Sequence, residues 1–171
     1  VLDTEHGCFN NETLYSCIQV IKASKKRCFV RLTDINKTMI RYCLDAGVDG
    51  LIFSTIETEK QCKEIIDYCF YSPKGKRGVG LVRQNFWGEK QLIQKSPIII
   101  PQIETRLAVD NLTSILKYEF DYYLIGPYDL SLSLNITGLF DNELFLCYIN
   151  KIMDLIPYSK TAVHIPNDIE N

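Results

Sequence analysis

The 171 residues carry 19 basic and 21 acidic side chains for a formal net charge of -2, which leaves no electrostatic footprint for nucleic acid or an anionic membrane. A hydrophobic content of 46% suffices for a real core and excludes a disordered tail or linker. No apolar run approaches the roughly 20 residues of a membrane-spanning helix, so the expectation is one soluble, cytoplasmic domain with a small-molecule ligand.

The chain opens on VLDTEHG, which reads as the last residues of a strand. ETLYSCIQVIKA (12–23) has helical spacing, FVRL (29–32) is a short strand, and INKTMIRYCLDA (35–46) is a helix that Gly47 closes as a C-cap glycine. GLIF (50–53) is a strand, and Thr58 with Gln61 has the form of a capping box at the start of EKQCKEIIDYCF (59–70). Residues 72–96, rich in glycine and basic side chains, read as a long loop with one short turn of helix. Beyond it strands and helices alternate again: IIIPQI (98–103), TRLAVDNLTSILKY (105–118), YYLIG (122–126), NELFLCYINKIMDLI (142–156) and TAVH (161–164).

Strands alternating with helices indicate parallel βαβ units and an α/β protein. About six strand positions are present where a closed parallel barrel needs eight, there is no initiator methionine, and the chain finishes directly after a strand. Two architectures fit, an open doubly wound sheet and a piece of a barrel. The seven cysteines, at 8, 17, 28, 43, 62, 69 and 147, form no Cys-x-x-Cys pair, and with two histidines they assemble no zinc spacing; they read as small buried apolar residues in a reducing cytosol. Sequons beginning at Asn11, Asn36, Asn111 and Asn135 read as chance, Asn111 lying inside a helical pattern.

Ligands of α/β folds collect at the carboxyl ends of the strands, where the following loops converge. The polar residues there are Asp3, Glu5 and His6 after the first strand, Arg31 within FVRL, Gln102 and Glu104 after IIIP, and Asp129 after YYLIGPY. Glu104 and Asp129 follow successive strands, and two carboxylates with waters suit a hard divalent ion such as magnesium or manganese. On spacing alone an equal reading is that Glu104 caps a helix starting near Thr105 and Asp129 caps a turn. His6 alone reads as a strand-end histidine, although Asp3 and Glu5 beside it could orient an imidazole. Arg31, inside an apolar strand, needs a fixed anionic partner. Asp45 reads as a surface acid, and the basic run Lys74, Lys76, Arg77 as a solvated loop.

At these residues the sequence resembles the HpcH/HpaI aldolase and citrate lyase family, in particular its class II, metal-dependent 2-keto-3-deoxy acid aldolases. The carrying motifs are DTEHG (3–7), VRL (30–32), LDAGVDGLIF (44–53), PKGKRGVGLVR (73–83), PQIET (101–105) and IGPYDLS (125–131), in the family's order and over nearly the whole chain. The resemblance implies a (β/α)8 TIM barrel of the phosphoenolpyruvate/pyruvate-binding type. Here it would be an incomplete one of about six parallel strands, a single domain over 1–171 lacking the first strand and helix and the last strand and helices. It implies Glu104 and Asp129 as ligands of Mg2+ or Mn2+, Gln102, Gly126, Pro127, Tyr128 and Asp129 as substrate contacts, His6 as catalytic base, Arg31 as the residue that stabilises the enolate, and Asp45 as the acid that makes the histidine more basic. In the family that acid reaches the histidine across a subunit contact, so a homo-oligomer is implied.

The activity implied is aldol cleavage of a 2-keto-3-deoxy or 4-hydroxy-2-oxo acid to pyruvate and an aldehyde, through a pyruvate enolate. Two alternatives stand beside it, a CoA-thioester lyase of the citrate lyase type and an inactive barrel remnant. The chain departs from the family's usual pattern at Ser54-Thr55, where Pro-Met is common, at Tyr128, where a smaller residue is usual, and at Asn135, where glycine is. These departures are expected to alter pocket shape more than metal chemistry. Ala162-Val163-His164 stands where the family has a Gly-x-His-like segment.

Overall fold

The computed structural model of the chain describes residues 1–82, 87–89 and 96–163. Parts of the loop at 72–96, including Arg83, and His164 of the last motif lie outside the described residues. The chain forms two compact units, one of residues 1–54 and 60–99, the other of residues 55–59 and 100–171.

The first unit holds β1 (Leu2–Asp3), α1 (Asn11–Ala23), β2 (Phe29–Leu32), α2 (Lys37–Ala46), β3 (Gly50–Phe53) and nearly all of α3 (Glu59–Cys69). Its strands pair in parallel and in chain order, Asp3 opposite Arg31 and Leu32 opposite Phe53. Caps set the helices. The Asn10 side chain accepts from the Thr13 N–H to start α1, and the Asn36 side chain accepts from the N–H groups of Thr38 and Met39 to start α2. Gly47, at φ +92°, ends α2 in the left-handed conformation that glycine adopts without strain. Leu14 and Ile18 of α1, Ile40, Cys43 and Leu44 of α2, and Cys62, Ile65 and Cys69 of α3 are the buried stripes that this spacing requires.

The start of β4 (Ile98–Ile103) belongs to this unit, where the Ile98 N–H donates to the Asp49 carbonyl at 3.0 Å. The strand then continues into the second unit. There it pairs in parallel with β5 (Tyr123–Ile125), which pairs in parallel with β6 (Thr161–Val163). The helices of this unit are α4 (Arg106–Asp110), α5 (Leu112–Ile115), α6 (Pro127–Ser133) and α7 (Glu143–Leu155). Its core is built from Ile103, Val109, Leu112, Ile115, Tyr123, Ile125, Leu130, Phe145 and Ile152. Six parallel strands alternating with helices are what consecutive units of a (β/α)8 barrel contain.

The structure corrects several expectations. The helix expected over 105–118 is broken at Asn111, which leaves helical geometry (φ -95°, ψ 6°) and donates its side-chain amide to the Glu57 carbonyl at 2.8 Å, the competing local bonding that makes asparagine a poor helix interior. The GPYDLS turn is instead the helix α6, opened by Pro127 at its first position, where the missing N–H costs nothing. Cys28, Cys43, Cys62 and Cys69 are buried as expected, and burial pushes the Cys43 and Cys69 thiols up to about 12, but Cys8 and Cys147 are exposed. Arg77 is buried rather than solvated: it donates to Asp45 at 2.6 Å and lies over the Tyr71 ring. No helix among the described residues is long and apolar enough to cross a membrane.

Candidate active site

In the first unit the site residues follow from the pleat of β2. Val30 and Leu32 face the core, so Arg31 projects from the opposite face, level with Asp3 of β1. The guanidinium meets Asp3 through two bonds, Nε to Oδ1 at 2.8 Å and an Nη to Oδ2 at 2.5 Å, and another Nη reaches Glu5 Oε2 at 3.1 Å. Arg31 holds the Asp3 carboxyl at about 2, below the usual carboxylate range. Glu5 Oε2 also accepts from the Ser54 hydroxyl at 2.8 Å. The carboxylate beside His6 is Glu5, 3.9 Å from Nε2, and the imidazole is 74% exposed. Asp45, near the end of α2, pairs within this chain with Arg77.

The second unit builds a tighter cluster. Glu104, one residue beyond β4, is 3% exposed, and Gln102 is 2% exposed. Glu104 Oε1 accepts from both the backbone N–H (2.7 Å) and the hydroxyl (2.8 Å) of Thr55, while the Gln102 amide nitrogen donates to Oε2. Gln102 Oε1 is buried with no hydrogen-bond partner. The N-cap of α4 is Thr105, whose hydroxyl accepts from the Ala108 N–H, so Glu104 does not serve as the cap.

Strand register brings the next loop to the same place. Ile103 and Ile125 are paired, the Gly126 N–H donates to the Ile103 carbonyl at 3.2 Å, and Gly126 follows directly. A Cβ at Gly126 would sit 2.7 Å from Glu104 Oε2 and 3.1 Å from the Gln102 amide nitrogen, so only glycine lets the two strand ends approach this closely. Pro127, Tyr128 and Asp129 form the first turn of α6. Asp129 is exposed there, and Tyr128 packs edge-on against Phe140 with centroids 4.9 Å apart.

These oxygens fit a hard divalent cation. Glu104 supplies carboxylate oxygen, Gln102 Oε1 is a buried acceptor with no hydrogen-bond partner, and Gly126 leaves a cradle beside Glu104 Oε2. Among the described residues no group of three or more His, Cys, Asp or Glu side chains gathers to hold a metal, and Mg2+ commonly needs only one or two carboxylates because it keeps much of its water shell. Sequence reasoning missed Ser54 and Thr55 as contacts of the two acids, although their position directly after β3 was the available signal.

A chain of parallel strands with acids, an amide and an arginine at the strand ends has the organisation of the α/β enzymes that work at those ends. The profile of the HpcH/HpaI aldolase/citrate lyase family matches residues 1–154. The chain belongs to that family. It is 33% identical over 141 residues to a 2-keto-3-deoxy-L-rhamnonate aldolase of Salmonella gallinarum and 31% identical to that of Escherichia coli K12, covering 78% of this chain and 53% of each relative. The chain thus spans about half the length of the curated relatives it matches. In fold it is similar to the HpcH/HpaI aldolase from Desulfitobacterium hafniense (TM-score 0.84, 22% identity) and to the citrate synthase SbnG (TM-score 0.83, 24% identity), in each case over 98% of this chain and 68% of the other.

Proposed function

We propose that the protein is a metal-dependent aldolase that cleaves a 2-keto-3-deoxy or 4-hydroxy-2-oxo acid to pyruvate and an aldehyde. The observation that carries this reading is the buried carboxylate of Glu104, held by the N–H and hydroxyl of Thr55 beside an orphaned amide oxygen and a glycine cradle at the end of a parallel strand. The aldolases named among the relatives support it. Glu104 and Asp129 would hold Mg2+ or Mn2+, which when bound supplies Lewis-acid stabilisation of the negative charge that develops on the keto oxygen.

The remaining work falls to this chain's side chains. Gln102 and the turn of Gly126, Pro127 and Tyr128 seat the keto acid, and Arg31 adds positive charge to the enolate oxygen. In the cleavage direction His6 accepts the proton of the C4 hydroxyl. The C3–C4 electron pair moves into the enolate, the aldehyde leaves, and protonation at C3 completes pyruvate. Glu5, 3.9 Å from the imidazole Nε2, is placed to orient the ring in that step. In an oligomer Asp45 of a neighbouring copy would make the histidine more basic.

The test is exchange of the pyruvate methyl protons for deuterium by the purified protein. Exchange that requires Mn2+ or Mg2+ and stops on chelation is the expected result. No exchange from a folded protein would sink the aldolase reading in favour of an inactive member of the family, and thioester cleavage without exchange would favour the citrate lyase branch.

A further inference from the structure

Thr55 bonds the buried acid twice. Its backbone is at φ +52°, in the left-handed region where a β-branched side chain is strained and which persists only when the surroundings over-determine it. What holds it there is on the page: the N–H and the hydroxyl of one residue converge on one oxygen, Glu104 Oε1, at 2.7 and 2.8 Å. The neighbouring backbone is fixed as well, since the Ile56 N–H donates to the Gln102 carbonyl at 3.1 Å. The segment is therefore built onto the end of β4.

A carboxylate oxygen has two lone-pair directions, and two donors fill both. Oε2 accepts from the Gln102 amide nitrogen and lies against the Gly126 backbone, where only glycine fits. We propose that Thr55 is a positioning residue that clamps Glu104 Oε1, so that the acid meets a cation at Oε2, beside the Gln102 amide, and binds it through one oxygen. This rests on the reading of Glu104 as a metal ligand, and it adds the ion class that the site selects. Calcium favours higher coordination and readily takes a carboxylate through both oxygens, whereas magnesium and manganese keep octahedral shells with single-oxygen carboxylates and water. A carboxylate clamped at one oxygen discriminates against calcium.

The experiment measures Mn2+ and Ca2+ affinities by calorimetry for the wild-type protein and for Thr55→Val, Thr55→Ala and Thr55→Ser, with circular dichroism as the check on folding. The wild type should bind Mn2+ well ahead of Ca2+. Thr55→Val and Thr55→Ala should lose about tenfold in Mn2+ affinity, as outer-shell partners of ligands do, and lose less for Ca2+, so the preference narrows. Thr55→Ser, which keeps the hydroxyl, should retain both the affinity and the preference.

Equal loss for both ions would make Thr55 a structural residue only and overturn the inference, as would unchanged affinities in folded Val and Ala variants. If Val fails to fold, Ala and Ser still decide the matter. A wild-type protein that binds neither ion overturns the reading of Glu104 itself, an outcome distinct from binding that ignores Thr55.

Discussion

Two strand ends in this chain withdraw carboxylates from water, and they satisfy them by opposite means. After β1, Asp3 and Glu5 share one guanidinium, so the negative charge is answered by a cation of the chain itself. After β4, the donors to Glu104 include a backbone N–H, a hydroxyl and a side-chain amide, groups that fix its direction. The first arrangement fixes a guanidinium between two acids, and the second fixes the direction of one acid at a strand end, as the proposed ligand role requires. The difference teaches which acid to probe for metal and which for fold.

The largest effect should come from Glu104→Gln. The substitution keeps an acceptor for Thr55 and removes the charge, so the protein should remain folded while Mn2+ affinity falls more than about 100-fold, beyond the range for outer-shell partners, and pyruvate exchange disappears. A variant that exchanges pyruvate at the wild-type rate would erase the contrast between the two clusters. Gly126→Ala should be milder. Its Cβ would stand 2.7 Å from Glu104 Oε2 and 2.8 Å from Glu104 Cβ, so the acid must shift. The expected cost is about 1–3 kcal/mol by overpacking, read by urea unfolding, with Mn2+ affinity reduced alongside. Full affinity in a folded Gly126→Ala protein would mean that the cradle is not part of the ion site.

How far the sequence reveals this depends on the range of the interaction. FVRL, GLIF and IIIPQI form strands with the bounds expected of them, because apolar runs flanked by helical periods are local signals. The need of Arg31 for an anion was readable too, since a guanidinium in an apolar strand admits few alternatives. α6 was not, because seven residues opening on Gly-Pro give too little periodicity to tell a helix from a turn. Arg77 was misleading: its neighbours Lys74 and Lys76 suggest solvent, and only Asp45, 32 residues away, explains its burial. Thr55 reaches Glu104 across 49 positions. No local pattern marks such a contact.

The smallest predicted effect isolates the ion pair of the first unit. Asp3 titrates at about 2 in the folded protein against an ordinary 3.8, with hydrogen bonding from Arg31 as the leading cause. Because the folded value is depressed, the stabilisation is present above pH 3.8 and is lost as pH falls toward 2. Asp3→Asn preserves the side-chain oxygen that accepts from the Glu5 N–H at 3.0 Å, removes the charge, and replaces the second oxygen that accepts from Arg31 by an amide donor. With the carboxylate side chain 34% exposed, solvent screening limits the loss at pH 7 to under about 1 kcal/mol. Unfolding curves for the wild type and Asp3→Asn at pH 7, 4, 3 and 2 should show a gap that is steady down to about pH 4 and closes by pH 2. A gap that survives unchanged at pH 2 would mean that Asp3 contributes through the turn at Glu5 rather than through Arg31, and the first cluster would lose its standing as a charge-compensated pair.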